Sequence, residues 1–368
     1  MDYIRLYEKA EKESLLTFNP AEINVKQENY SCDQILEMLE YNEINLNTDF
    51  QRSSDLWDDG RMSKFIESLF LKLPIPPFYF NIVYLDNNPE KIHWEVIDGL
   101  QRLSALRKFC FGDLKNRKLK LQELDFFTEL NGKHYDEIPR HLIRNFKASQ
   151  LQLHLVYPNT PFEIKYRIFE RINTTNLTLR DQEVRHALYQ GGVVKLLKKA
   201  VTEILKKNNI NININDDRMD AQETVLRAIS FSCFGYSKYP QGSNLKLFLD
   251  HSIKALSKLN EKELKIIYEE FKSNFEFCIE MLGADCFKNK TTDRSVFNKG
   301  LFDSLIYAAS QVKCSSKNKT FIKNKTEYKK KYEQCLKQER FKKSISNATS
   351  RQDNVIYRLT KASDIFKD

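Results

Sequence analysis

Asp98, Gly99, Gln101 and Arg102 crowd into one short part of the stretch HWEVIDGLQRLSALRKFCFG, residues 93–112. A carboxylate, an amide and a guanidinium set around a glycine are the residue types that hold anions, waters or a metal ion. The hydrophobic period changes at the glycine. Ile92, Trp94 and Val96 alternate with His93 and Glu95, as in a strand, whereas Leu103, Leu106, Phe109 and Cys110 recur at helical spacing. A strand, an Asp-Gly turn and a helix therefore follow one another without a linker. Glycine suits such a corner because it alone takes positive φ and close backbone approach at no steric cost. Free amides at the helix N-terminus, backed by the helix dipole, form a seat for an anion. Arg102 on the first turn can add a bidentate phosphate contact. Asp98 has the wrong charge for phosphate and suits holding Arg102, a metal ion or an attacking water. Asp98 as a plain helix cap, with Arg102 on the surface, fits the same spacing.

The elements around this corner follow from local pattern. Residues 33–41, with Ile35, Leu36, Met38 and Leu39, predict a helix with Ser31 or Asp33 as cap. Met62, Phe65, Ile66, Leu69 and Phe70 predict a second helix behind Asp58 and Asp59, stopped by Pro74, Pro76 and Pro77. Residues 77–85 predict a strand. Two further clusters carry candidate site residues. The run DFQR places Gln51 and Arg52 shortly before Trp57, and residues 166–192 read as helix, polar turn at Asn173 to Asn176, and helix, with Glu183, Arg185 and His186 following. A helix connection with local ion pairs accounts for that second cluster as well as a site does.

At 368 residues, 41% hydrophobic and 30% charged, the chain has globular composition and a length that favours two domains. No apolar run is long enough to span a bilayer, and Asp2, Glu8, Glu11 and Glu13 occupy the region where a signal peptide needs an apolar core. The expectation is a soluble, cytoplasmic protein without membrane partners. The seven cysteines form no CxxC pair and read as small buried side chains rather than a zinc site. The net charge of +9 is concentrated between Lys313 and Lys343, which hold twelve Lys or Arg against three Glu. Lys329, Lys330, Lys331, Arg340, Lys342 and Lys343, interleaved with Phe321, Tyr328, Tyr332 and Phe341, are candidates for nucleic-acid phosphates with rings available for stacking. A solvated lysine-rich helix and loop is the other reading.

Taken together, the clusters resemble the N-terminal domain of GmrSD-type restriction endonucleases, a ParB/sulfiredoxin-like domain, here in a stand-alone form. The shared pattern comprises Gln51-Arg52, Trp57, Pro74-Ile75-Pro76, Asp98 to Arg102 as the counterpart of a DGQQR motif, Leu103-Ser104-Ala105-Leu106, Phe169 to Asn173, and Leu179 with Glu183 and Arg185. The resemblance covers roughly residues 25–195. It implies an NTP pocket, with hydrolysis coupled to DNA cleavage. Carried over by position, Arg102 and Arg52 grip phosphate, Gln101 and Gln51 orient water or phosphate oxygens, and Asp98 positions Mg²⁺ or water. Gly99, Asn173, Glu183 and Arg185 complete the nucleotide-binding set. Leu100 stands where the family has its first glutamine, and no HNH nuclease half follows. The resemblance therefore implies an NTP-hydrolysing component of a restriction or anti-phage system that acts on DNA with a partner nuclease or ATPase. The alternative is a non-catalytic nucleotide sensor or a DNA-binding regulator of ParB type.

The expected architecture is α+β: a ParB/sulfiredoxin-like α/β domain over 1–195, then an all-helical domain over 196–368 that carries the basic segment 313–343. Amphipathic or apolar runs at 191–207, 219–235, 245–283 and 295–312 supply its helices, and in the last of these only Lys299 and Asp303 are charged.

Overall fold

The computed structural model describes residues 2–15, 23–46, 57–84, 92–113, 116–158, 160, 164–165, 168, 180–189, 191–206, 218–242, 244–289, 296–312 and 321–367. By packing, the chain divides into two compact units, one of residues 17–188 and one of residues 1–16 with 189–368. It is mixed α/β in the first and mainly helical in the second. The contact boundary thus falls at 188/189, and the first helix belongs to the same unit as the C-terminal half.

The first unit is a five-stranded mixed sheet in the order β1-β5-β3-β4-β2. Its strands are β1 (Val25–Ser31), β2 (Ile44–Asn45), β3 (Phe78–Tyr84), β4 (Ile92–Asp98) and β5 (Gln150–Val156). Four helices accompany it: α2 (Cys32–Glu40), α3 (Asp59–Phe70), α4 (Leu100–Cys110) and α5 (Arg140–Ala148). Local chemistry explains the helix starts. Ser31 closes a capping box with Gln34 on α2, and the Asp58 carboxylate accepts from the Arg61 amide at 2.7 Å to start α3. Alternate residues of the strands, Phe78, Phe80 and Ile82 in β3 and Leu151, Leu153 and Leu155 in β5, are buried in one core with Ile35, Ile66, Phe70, Leu103, Leu106, Phe109 and Phe146 from the helices. One face of the sheet is therefore the core face, and the opposite row is left for polar residues.

Buried Glu67 of α3 ties down the loop that follows α4. Its carboxylate accepts from the amides of Asp125 at 3.0 Å and of Phe126 and Phe127 at 2.8 Å each. These bonds satisfy backbone donors that no strand pairs. Glu67→Gln keeps the shape but replaces one accepting oxygen with an NH2 donor that faces a backbone N–H, and should lower unfolding free energy by about 2 kcal/mol in urea titration.

Helix α6 (Asp181–Leu188) closes the first unit; the second unit contains α1 (Tyr3–Leu15), α7 (Gly192–Ala200), α8 (Asp220–Phe234), α9 (Leu245–Leu256), α10 (Glu261–Leu282), α11 (Lys299–Ser310), α12 (Phe321–Lys337), α13 (Glu339–Ser346) and α14 (Gln352–Ser363). Tyr7 of α1 is fully buried against the rings of Phe234 and Phe248 at 5.1 and 5.8 Å. The run 245–283 is two helices because Asn260 caps the second, closing a box with Glu263. One correction applies to the all-helical expectation: Lys288–Asn289 and Val296–Phe297 form a small antiparallel ladder. Among the described residues, no helix is long and apolar enough to cross a membrane.

Candidate functional site

Strand β4 runs directly into α4 through Gly99, which adopts φ 102°. Open space is not the reason for the glycine. A Cβ there would lie 2.4 Å from Cδ1 of Phe78, so the turn is pressed against an aromatic ring of the core. Asp98 does not cap the helix, and among the described residues no side chain accepts from its first turn. Among the described residues these first-turn amides have no side-chain partner, although Gly99, Leu100 and Arg102 are themselves buried.

Arg102 is buried and turned back on the corner. Its Nη2 donates to Asp98 Oδ2 at 2.7 Å and to the Pro77 carbonyl at 3.2 Å, its Nη1 donates to the Pro76 carbonyl, and the guanidinium lies 4.4 Å over the Phe78 ring. Arg102 is therefore a clamp that holds the proline segment, the turn and the first helical turn in one arrangement. Gln101 has a buried Oε1 with no hydrogen-bond partner among the described residues. Leu100, in the place of the family's first glutamine, is buried in the hydrophobic core.

A bulge decides which side chains share the face with Asp98. Tyr79 pairs with Asp98, but Phe80 pairs with Val96 and Asn81 with Glu95, so the register slips by one residue at Ile97. Glu95 and Asp98 consequently lie on the same face. On that face Tyr79 stacks on His154 of β5 at 4.6 Å, and Asn81 Nδ2 donates to Glu95 Oε2 at 2.9 Å while its Oδ1 accepts from Lys165 Nζ at 3.2 Å. Burial pushes the Glu95 carboxyl up and the Lys165 ammonium down, each toward its neutral form. Burial likewise lowers His154. The outer face of the sheet is thus a half-buried polar surface continuous with the Asp98 corner. Sequence reasoning missed Tyr79, Asn81, Glu95, His154 and Lys165. Their alternation with core residues was visible, but their convergence depends on pairing.

Residues 34–190 match a known family, described as GmrSD restriction endonuclease, N-terminal domain. This part of the chain is similar to the GmrSD-type N-terminal domain. No curated protein and no solved structure matches the chain. The GmrSD-type domain contains the corner, the bulge and the outer sheet face, and it relates the protein to restriction and defence systems.

Other candidate residues are placed as follows. Gln51, Arg52 and Asn173 lie outside the described residues. Glu183 accepts from the Arg180 amide at 2.6 Å at the start of α6, and Arg185 is buried with Nη1 donating to Gln182 Oε1 at 3.3 Å. Among the described residues, no group of three or more His, Cys, Asp or Glu is placed to hold a metal. The Asp98 carboxylate is partly exposed and only its Oδ2 is bonded to Arg102, so it fits a Mg²⁺ carried mainly by phosphate oxygens and water.

The basic segment outside the GmrSD-type domain needs a correction. Tyr328, Tyr332 and Phe341 are buried, and Tyr332 donates to the Cys286 carbonyl at 2.8 Å, so these rings are core and offer no stacking platform. Lys331 pairs with Glu327 at 2.9 Å, Lys342 with Glu339 at 2.7 Å and Arg340 with Asp353 at 3.6 Å. Lys329, Lys330 and Lys343 are exposed.

Proposed function

We propose that the GmrSD-type domain binds a nucleoside triphosphate at the N-terminus of α4 and hydrolyses it as part of a DNA restriction or anti-phage system, together with a partner nuclease or ATPase. The observation that carries this reading is the uncapped helix start behind Gly99, with a partly exposed carboxylate at its rim. Phosphate oxygens would rest on the first-turn amides, where backbone donors and the helix dipole favour negative charge. The free Oε1 of Gln101 would orient a water or a phosphate-bound proton, and Asp98 would supply one oxygen to Mg²⁺. Arg102 serves by fixing this geometry rather than by reaching for the ligand. A ParB/sulfiredoxin-like fold accords with a mixed sheet whose strand runs straight into such a helix. Lys329, Lys330 and Lys343 would add phosphate contacts to DNA without base readout.

Phosphate release from each of the four NTPs with Mg²⁺, with and without DNA, tests the reading. Asp98→Asn keeps an acceptor for Arg102 but removes the charge, and release should fall at least about 100-fold. Release at the wild-type rate in that variant sinks the assignment. The sensor reading has its own support: Leu100 is core, and the Arg102 donors are already engaged. Tight NTP binding by the wild-type protein without release would decide for it.

A further inference from the structure

Glu95 and Asp98 are three positions apart, a spacing that in a regular strand turns two side chains to opposite faces. The bulge at Ile97 cancels that, setting Glu95 opposite Asn81 and Asp98 opposite Tyr79 in one row. Two carboxylates thus share the outer face, separated by roughly 10 Å of strand. They differ in what neutralises them. Asp98 is committed to Arg102 at 2.7 Å. Among the described residues Glu95 has no cation at ion-pair distance: Asn81 holds it at 2.9 Å, and Lys165 reaches Asn81 rather than the carboxylate, at 3.2 Å. The titratable groups that face Glu95 are His93 of its own strand and Lys165 from the chain beyond β5. Asn81 therefore fixes the orientation of a carboxyl group that no described cation pairs with, and it holds the Lys165 side chain beside it. An oriented, partly shielded carboxylate is a better proton acceptor than one locked to a guanidinium.

We propose that Glu95 is the carboxylate that takes the proton of the attacking water, with Asn81 as a positioning residue and Lys165 as the cation that meets phosphate on the sheet face. This rests on the nucleotide-hydrolysis reading above. In the step, the water oxygen bonds to the γ-phosphorus as the bond from that phosphorus to the β,γ-bridging oxygen breaks. The bridging electron pair leaves with the nucleoside diphosphate, and the proton of the water passes to Glu95 and then to solvent.

The test uses the full chain and separates binding from turnover. Binding is measured by calorimetry with the β,γ-imido analogues of the four NTPs and Mg²⁺, and turnover by phosphate release from the NTPs themselves. Glu95→Gln retains an oxygen for Asn81 and should bind the analogue within about two-fold of wild type while release falls about 100-fold or more. Glu95→Asp keeps the charge one methylene further back and should recover part of the rate, which a merely structural role would not explain. If Glu95→Gln fails to fold by circular dichroism, Glu95→Asp decides alone: reduced release with unchanged binding supports the assignment. Release within about three-fold of wild type in Glu95→Gln, or parallel loss of binding and release in either folded variant, overturns it. A wild-type protein that binds no analogue at all refutes the underlying nucleotide reading, a failure visible before any variant is compared.

Discussion

Asp303→Asn should lower the unfolding free energy by about 3–5 kcal/mol, seen as a fall in the urea midpoint at unchanged slope. Asp303 sits on α11 with no exposure and is flanked by two buried arginines from other helices. Arg227 of α8 donates to its Oδ2 through both Nε, at 3.1 Å, and Nη2. Arg358 of α14 brings Nη2 to 3.9 Å from the same oxygen and donates through Nη1 to the carbonyls of Ser344 and Thr349. One carboxylate thus serves two guanidinium groups that water cannot reach. Removing its charge leaves both cations buried without a counter-ion, and the cost is dominated by their desolvation rather than by lost hydrogen bonds. The companion variant Arg227→Met with Asp303→Leu and Arg358→Met removes all three charges and should recover most of the loss, because well-packed apolar groups replace a buried ionic cluster at little net cost. A loss below about 1 kcal/mol in Asp303→Asn, or a triple variant no better than the single one, would contradict this account.

The same residues show how far local pattern carries. Helix α11 was legible from the apolar period of 295–312, although it spans only Lys299–Ser310 and Val296–Phe297 form a strand; its two charges were visible, but nothing in the run says that Asp303 meets arginines 76 residues before it and further along the chain. The strand-turn-helix corner was legible for the opposite reason, since all its parts are sequence neighbours. Its outcome still depended on a distant segment. Pro76 and Pro77 present carbonyls that accept from Arg102, so the guanidinium expected to reach a phosphate is instead a clamp. Strand β5 alternates strictly, Leu151, Leu153 and Leu155 against Gln152 and His154, yet its place between β1 and β3 has no local signal. Glu95 was hidden by the bulge, which exists only in the pairing of β3 with β4. In the basic segment the signal was present and misleading. Tyr328, Tyr332 and Cys335 recur at i, i+4 and i+7, the stripe of a helix that buries one face, and all three are buried. Their lysine neighbours are the solvated side of that helix.

Gly99→Ala should cost about 4 kcal/mol and should remove the proposed nucleotide binding along with stability, because the two share one cause. The backbone at this residue has φ 102°, outside the range an L side chain adopts without strain. The added methyl would also stand 2.4 Å from Cδ1 and 3.0 Å from Cε1 of Phe78, and 3.3 Å from Nη2 of Arg102. Phe78 cannot yield freely. It is fully buried, stacks on Phe80 at 6.4 Å and carries the Arg102 guanidinium on its face at 4.4 Å. Relief must come from moving the turn outward, which opens the Arg102 bonds to Asp98, Pro76 and Pro77 and tilts the first turn of α4 away from the sheet rim. Smaller side chains at position 78 give the discriminating control. Phe78→Leu by itself should cost roughly 1–2 kcal/mol, while the double variant with Gly99→Ala should be less destabilised than the two single losses added together, since the overlap is gone and only the positive φ remains. Strict additivity in that cycle would show that the glycine is required for its backbone angle alone, and that the ring of Phe78 does not set the position of the anion seat.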